Sequence, residues 1–597
     1  MRFALTQKVL TFLLAPVAAL PLLLSGEVGA PFAIAFALLA VVGWFLEPPR
    51  TREPRFRRVI TGAIVTLFAV QLARAFAGAP VPRMGMEYAV VLLGLKLASR
   101  GGAGDYQQIV ILAFLHLIAA TVATFDLSYA LAFVAFVTLS APALALAHLR
   151  QEMERRFRRD DTAESRRAME RLLASRRVVS ARFVLGTGLF AVPVLVFTVL
   201  LFLTFPRFGL GFLGRLPGPG NLAGFGGEVR LGDLEETRRD GTVVVRLEPL
   251  EPGGEHPRRI ALKLRGAVFE VYQDGAWTRG EPGRFRQMRR LGDAHPLDRE
   301  RRDAPGTAGF DVLLESIEPS YLFLPRGTVL VTTAPVAHKG LMKARTLEID
   351  ARGVVRYADD ARVGLGYQVR FSGPETDADF AIAAAGHDAD PTLERAWLAL
   401  PPGLGRLEAL ARELAGDGSP EQRVVNLEQR LRTGWRYADG LDPGRGAGEG
   451  QTPLDRFLFS RGTGNCEHFA TALTLMLRAV GIPSRMVTGF AAAEWNPIGG
   501  YYAVRLSSAH AWTEARLGER WVTLDATPAR EGGAAAEEPS TLALLLDTVQ
   551  MRWHKHVIGF DASSQIEIAQ GLQRLLPGPG GAIGLPRLSG RVIAGLG

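Results

Sequence analysis

The chain has 597 residues, 48% of them hydrophobic, a formal charge of +9 and one cysteine. A single thiol excludes an internal disulfide, and the length implies several domains. The basic excess is local: Met1–Phe205 holds 22 Lys+Arg against 12 Asp+Glu, and the remainder 47 against 48, so the last two thirds lack the charge of a nucleic-acid-binding surface.

Apolar runs recur at about Val9–Leu24, Ala30–Leu46, Val59–Phe76, Met86–Ala98, Gln107–Thr124, Leu127–His148 and Phe183–Phe205. Crossing a bilayer takes roughly 20 apolar residues, which the last three runs meet and Met86–Ala98 does not. Residues 1–205 are therefore expected to form a multi-pass α-helical membrane domain of seven spans, or six. The loop Glu47–Arg58 carries five Arg and the loop Leu149–Arg182 eleven, whereas Ser25–Gly29 and Phe125–Asp126 carry none. Positive loops face the cytoplasm, which puts Phe205 on the other side. Lys8, the apolar run after it and Val28-Gly29-Ala30 have features of a signal peptide, but Pro31 and the later spans favour an uncleaved helix. Within the spans, Lys96 is expected to snorkel and His116 to be a packed polar residue.

The stretch Pro206–Gly227 is rich in Gly and Pro and has no strand–helix unit after it, which argues against a phosphate loop. Short β-like runs follow: TVVVRLE, RIALKLRG, AVFEVYQDGAW, YLFLPRGTVLVTT and LGYQVRF. They predict an extracytoplasmic β-rich domain over 206–375, a spacer or substrate platform in which nothing carries obvious chemistry. Helical patterns begin near Asp390. Ser419, Pro420 and Gln422 open a helix as N-cap, N1 and N3.

The stretch RGTGNCEHFATALTLMLRAVGIP then holds Cys466. Gly462, Gly464 and Asn465 predict a tight turn with Asn465 as N-cap, and Gly481 and Pro483 a stop. Cys466 thus falls in the first turn, where free N–H groups favour a thiolate and suit an oxyanion. Cys466, Ala470, Leu473, Leu477 and Val480 share a face, as they would for a buried structural cysteine, so the helix alone leaves both readings open.

A nucleophilic thiol needs a base. His468 lies about 200° away around the helix and reads as local structure. The runs HAWTEARL and RWVTLDATP flank Gly518-Glu519, a hairpin signal that pairs Leu517 with Arg520. That register sets Trp512 opposite Asp525 and His510 opposite Thr527, so His510 and Asp525 become diagonal neighbours on one face. An acid beside the imidazole would orient it, as a nucleophilic triad requires.

The stretch GTGNCEHFATALTLMLRAVGIPSRMVTGF, followed by SSAHAW and WVTLDATP, resembles the transglutaminase-like superfamily. With the membrane helices it is similar to bacterial membrane-bound transglutaminase-like proteins of the TgpA type. The resemblance implies an α+β papain-like/transglutaminase-like core over 390–530. It further implies Cys466 as nucleophile, His510 as base, Asp525 as orienter, and Trp435 or Tyr437 as a contributor to the oxyanion site. Residues 531–597 are expected to be an amphipathic C-terminal segment, shorter than the family's usual ending of a membrane helix and tail, which leaves a truncation open.

The implied function is that of a protein-glutamine gamma-glutamyltransferase-like enzyme in the bacterial inner membrane, with its catalytic domain on the periplasmic side. Cys466 would form a thioester from a glutamine carboxamide and pass the acyl group to an amine. A cysteine amidase or peptidase using the same acyl-enzyme, and a non-catalytic peptide-binding scaffold, remain open. Expected partners are peptide or protein glutamine and amine substrates, cell-envelope components and the lipid bilayer. No cofactor or metal is expected, since Cys466-x-His468 is one short pair without a second at ligand spacing.

Overall fold

The computed structural model describes residues 2–47, 50–124, 127–158, 171–173, 179–204, 224–238, 240–251, 253–280, 285–297, 307–315, 321–333, 335–338, 341–344, 346–357, 365–372, 391–438, 452–518, 520–528, 539–558 and 565. The chain divides into two compact units, Met1–Pro206 and Arg207–Gly597.

In the first unit every expected apolar run is helical, over Phe3–Leu24, Ala30–Phe45, Pro54–Phe76, Val81–Ala98, Ala103–Ala123, Leu127–Arg158 and the pair Ala181–Leu189 and Ala191–Thr204. The last pair breaks at Phe190, where Pro193 cannot donate to the Leu189 carbonyl. Counted as one span, Ala181–Thr204 is one of the five helices that, among the described residues, are long and apolar enough to cross a membrane. Ala30–Phe45, at 16 residues, rises only about 24 Å, short of a hydrocarbon core of ~30 Å. It packs instead on Val81–Ala98. A Cβ on Gly43 would come within 3.0 Å of the Ala98 Cα, and one on Gly94 within 3.1 Å of the Leu39 Cβ, so both glycines permit that approach. His116 is buried with Nδ1 2.6 Å from the Leu112 carbonyl, and the exposed Lys96 ammonium reaches Gln108 at 2.8 Å. The Phe125–Asp126 loop lies outside the described residues.

The second unit is built on two large sheets. One has five strands in the order Leu324–Pro325, Leu264–Phe269, Ser484–Phe490, Ala509–Leu517, Arg520–Leu524. The other has eight and includes Val243–Pro249, Thr307–Leu314 and Leu365–Ser372 beside Tyr501–Arg505 and Ala493–Asn496. The β-rich stretch and the cysteine-bearing stretch, expected as successive domains, therefore share both sheets. Each leaves strand edges that the other pairs, which is a standard way to remove exposed N–H and C=O groups.

The Cys466–Ala479 helix runs through the centre and is buried on nearly every face, Cys466 through Arg478 apart from His468. Buried hydroxyls tie it to the five-stranded sheet. Thr513 Oγ1 donates to the Ala470 carbonyl at 3.0 Å and lies 3.0 Å from Thr474 Oγ1; from a separate three-stranded sheet, Trp277 Nε1 donates to Thr471 Oγ1 at 2.8 Å. Within the sheet, Glu514 accepts from Arg265 Nε at 2.9 Å and Arg485 Nε at 2.8 Å, and Arg485 lies over the Trp521 ring. Burial alone would raise the Glu514 carboxyl; the two guanidiniums outweigh it and hold it near 2. Glu514→Leu would strand two buried cations. It is expected to cost about 3–5 kcal/mol, read as a lowered unfolding midpoint of the detergent-solubilised chain. An unchanged midpoint would show that the network carries no net stability.

Candidate active site

Asn465 is the N-cap of the central helix, its side chain accepting from the His468 N–H at 3.3 Å. The His468 ring turns back to Asn465, with Nδ1 2.7 Å from Oδ1, and rests on Phe457. Burial, with Arg456 and Arg461 nearby, lowers this imidazole to about 4, so it is a neutral part of the cap. That leaves Cys466 in the first turn with its side chain fully buried.

The strand Ala509–Leu517 brings His510 to the thiol. Opposite His510 stands Gly489, where a Cβ would lie 2.0 Å from the Leu264 carbonyl oxygen, so glycine is required for the strands to close here. The hairpin register pairs Leu517 with Arg520 and Thr513 with Leu524, in the parity the Gly518 turn predicts. The ladder stops there, one step before the expected Trp512–Asp525 pair. Asp525 peels away and is held from outside the sheet: its N–H donates to Glu428 at 2.9 Å, and Arg432, one turn further along the helix Pro420–Gly434, donates to its carbonyl.

From there Asp525 Oδ2 lies 2.8 Å from His510 Nε2 and 2.8 Å from Lys263 Nζ, and Oδ1 accepts from the Thr527 N–H at 3.1 Å. His510 and the Ala511 N–H in turn lie near enough to Cys466 to act on its titration. Burial opposes charge on all three groups, and the partners overcome it in each case. The hydrogen bond and charge of His510, the charge of Arg238 and the Ala511 N–H bring the thiol below its ordinary value. Asp525 and the thiol raise the imidazole to about 9. His510 and Lys263 hold the Asp525 carboxyl well below the usual carboxylate range. The arrangement favours a thiolate–imidazolium pair with a fixed carboxylate behind it, a poised nucleophile beside a proton donor.

The two aromatics separate. Trp435 commits its indole N–H to the Leu458 carbonyl at 3.2 Å and packs toward Phe457. Tyr437 pairs with Gly464 in a short parallel bridge, and its hydroxyl accepts from Arg238. The same Arg238 nitrogen lies 3.9 Å from Cys466 Sγ. Arg238 and Lys263 come from the β-rich stretch, where the sequence shows no obvious chemistry. Arg238 has no spacing relation to the cysteine, and the only sign at Lys263 is a charge interrupting the apolar run IALKL. Among the described residues no group of three or more His, Cys, Asp or Glu side chains is placed to hold a metal ion.

A cysteine at the start of a buried helix, facing a His/Asp pair on an antiparallel sheet, defines a transglutaminase-like core, and residues 408–526 match the transglutaminase-like superfamily. Residues 10–378, more than half of the chain, match the TgpA N-terminal domain family, and the chain belongs to that family. A protein-glutamine gamma-glutamyltransferase of Pseudomonas aeruginosa is 30% identical over 363 residues, 59% of this chain and 48% of the relative, so the chain spans about half of that protein's length. The uncharacterized protein YebA of Bacillus subtilis is 38% identical over 79 residues, 12% of this chain and 11% of its own. The crystal structure of the periplasmic domain of TgpA from Pseudomonas aeruginosa bound to ethylmercury aligns over 51% of this chain and 96% of that chain, at 25% identity and a TM-score of 0.38.

Proposed function

We propose that the chain is a membrane-anchored cysteine acyltransferase of transglutaminase type, with its catalytic unit on the extracytoplasmic side. The observation that carries this reading is the His510 Nε2–Asp525 Oδ2 contact at 2.8 Å beside a buried helix-start Cys466 whose thiol His510 brings below its ordinary value. With Nε2 held by the carboxylate, Nδ1 is the ring nitrogen left to serve the sulfur.

The thiolate of Cys466 attacks the carboxamide carbon of a glutamine side chain, forming a C–S bond and an oxyanion. The imidazolium of His510 gives its proton to the departing nitrogen, and ammonia leaves as the thioester forms. The neutral imidazole then takes a proton from an incoming amine as its nitrogen attacks the thioester carbon. The C–S bond breaks, a substituted amide is released, and the thiolate–imidazolium pair is restored. Asp525 holds the ring orientation and the positive charge throughout. Tyr437, beside the thiol through Arg238, is the better placed of the two aromatics to border the oxyanion.

The sulfur's complete burial supports transfer over hydrolysis, because a covered thioester meets a bound amine more often than bulk water. The purified chain, given a glutamine peptide and a primary amine, is expected to yield the amine-linked peptide and ammonia by mass spectrometry. Glutamate peptide alone would make it an amidase. The arginine-rich loops Glu47–Arg58 and Leu149–Arg182 support the sidedness. A fusion reporter that puts residue 466 in the cytoplasm would reverse it.

A further inference from the structure

The proposed mechanism leaves one buried connection unused. Glu467, next to the cysteine in sequence, has its side chain fully buried and reaches the β-rich stretch. Its carboxylate accepts from the Gly232 N–H at 2.8 Å and the Leu234 N–H at 3.1 Å, the start of the short helix Asp233–Arg238. Asn465 Nδ2 adds a third donor at 3.1 Å. The N-cap residue of the central helix and the residue after Cys466 thereby fix the beginning of a helix whose last residue is Arg238. Arg238 then returns to the cysteine. Its Nη1 lies 3.9 Å from Sγ, donates to the Tyr437 hydroxyl, and the guanidinium carbon sits 5.5 Å from the Tyr437 ring centre.

We propose that Arg238 is a fourth member of the catalytic centre, whose guanidinium, brought to the sulfur by a helix anchored on Glu467, holds the negative charge of the Cys466 thiolate while His510 carries the proton. This rests on the reading of Cys466 as the nucleophile. Three features fit a charge-holding role. Arginine stays protonated at any working pH, so it supports the thiolate without exchanging a proton with it. A cation within about 4 Å of a buried anion interacts far more strongly than in water. Tyr437 fixes the guanidinium by accepting one of its hydrogens, which leaves its position independent of substrate. The support acts at the two points where the sulfur carries negative charge, before the C–S bond forms and again when it breaks.

Cys466 is the only cysteine, so alkylation by iodoacetamide reports this thiol alone. The rate is measured by mass spectrometry from pH 4 to pH 10 on the full chain in detergent, for the native protein, Arg238→Gln and Arg238→Lys. The expected result is that Arg238→Gln alkylates about tenfold more slowly at pH 6 and rises to the native plateau only at higher pH, while Arg238→Lys recovers most of the native profile. An Arg238→Gln profile that superimposes on the native one overturns the proposal, and so does an Arg238→Lys profile displaced as far as that of Arg238→Gln. If the Gln variant does not fold, Arg238→Met, which keeps the aliphatic stem, carries the same comparison. A native profile with the midpoint of an ordinary free thiol, ~8.5, would instead overturn the reading of Cys466 as an activated nucleophile.

Discussion

Cys466→Ala is expected to lower the rate of amine incorporation into a glutamine peptide by about 10⁴-fold or more, with the fold intact. The magnitude follows from the role: without the sulfur there is no acyl-enzyme, and only positioning and oxyanion stabilisation remain, which in other triads leave a small residue of rate over water. The fold should tolerate the change. The thiol is a small group, and alanine suits the first turn of a helix capped by Asn465. The test is a pair of measurements on one preparation, product formation by mass spectrometry and the thermal unfolding midpoint. If the variant keeps full activity, the chain is a peptide-binding scaffold or uses another group. If activity and midpoint fall together, the cysteine is structural.

Asp525→Asn should reduce the same rate by about 10²–10⁴-fold and change its pH dependence. In the native site Asp525 helps raise His510 to about 9, so the imidazolium persists through neutrality and is lost as pH rises through that value. The alkaline limb of the acylation rate is therefore expected near pH 9. The amide can still accept a hydrogen bond but supplies no charge, and Lys263 Nζ, 2.8 Å from the native carboxylate, becomes an uncompensated cation beside the ring. Both changes disfavour the imidazolium, and the alkaline limb should move to lower pH. Thiolate formation should weaken with it, slowing alkylation of Cys466 at neutral pH. Since the two groups titrate as a coupled pair, the limbs belong to the pair. A variant with the native limb positions would exclude Asp525 as the group that tunes His510.

Much of this arrangement was legible because it is local. The N-cap at Asn465 and the stop at Gly481 involve residues within one or two helical turns, where the backbone's own hydrogen-bonding needs set the outcome. The hairpin register follows from the turn at Gly518 through the alternation of side chains, which is why His510 and Asp525 could be placed on one face before any coordinates. The apolar runs of the first unit are helices for a similar reason: length and composition suffice to specify them.

What the sequence alone determined was therefore the long apolar helices of the first unit, the cysteine at a helix start, the His/Asp pair and the class of chemistry they imply. Only the tertiary structure decided that the β-rich stretch is woven into the catalytic sheets, that Asp525 is held by Glu428 and Arg432 beyond the last ladder pair, and that Lys263 and Arg238 complete the site. Arg238 is 228 positions from Cys466. No period, turn or cap links residues so far apart; their contact is fixed when the strand Leu264–Phe269 joins Ser484–Phe490 and buries the two stretches in one core. A pairing of that range is chosen by the whole fold's need to cover strand edges and satisfy buried charge, and that choice is a property of the assembled core rather than of any segment read alone.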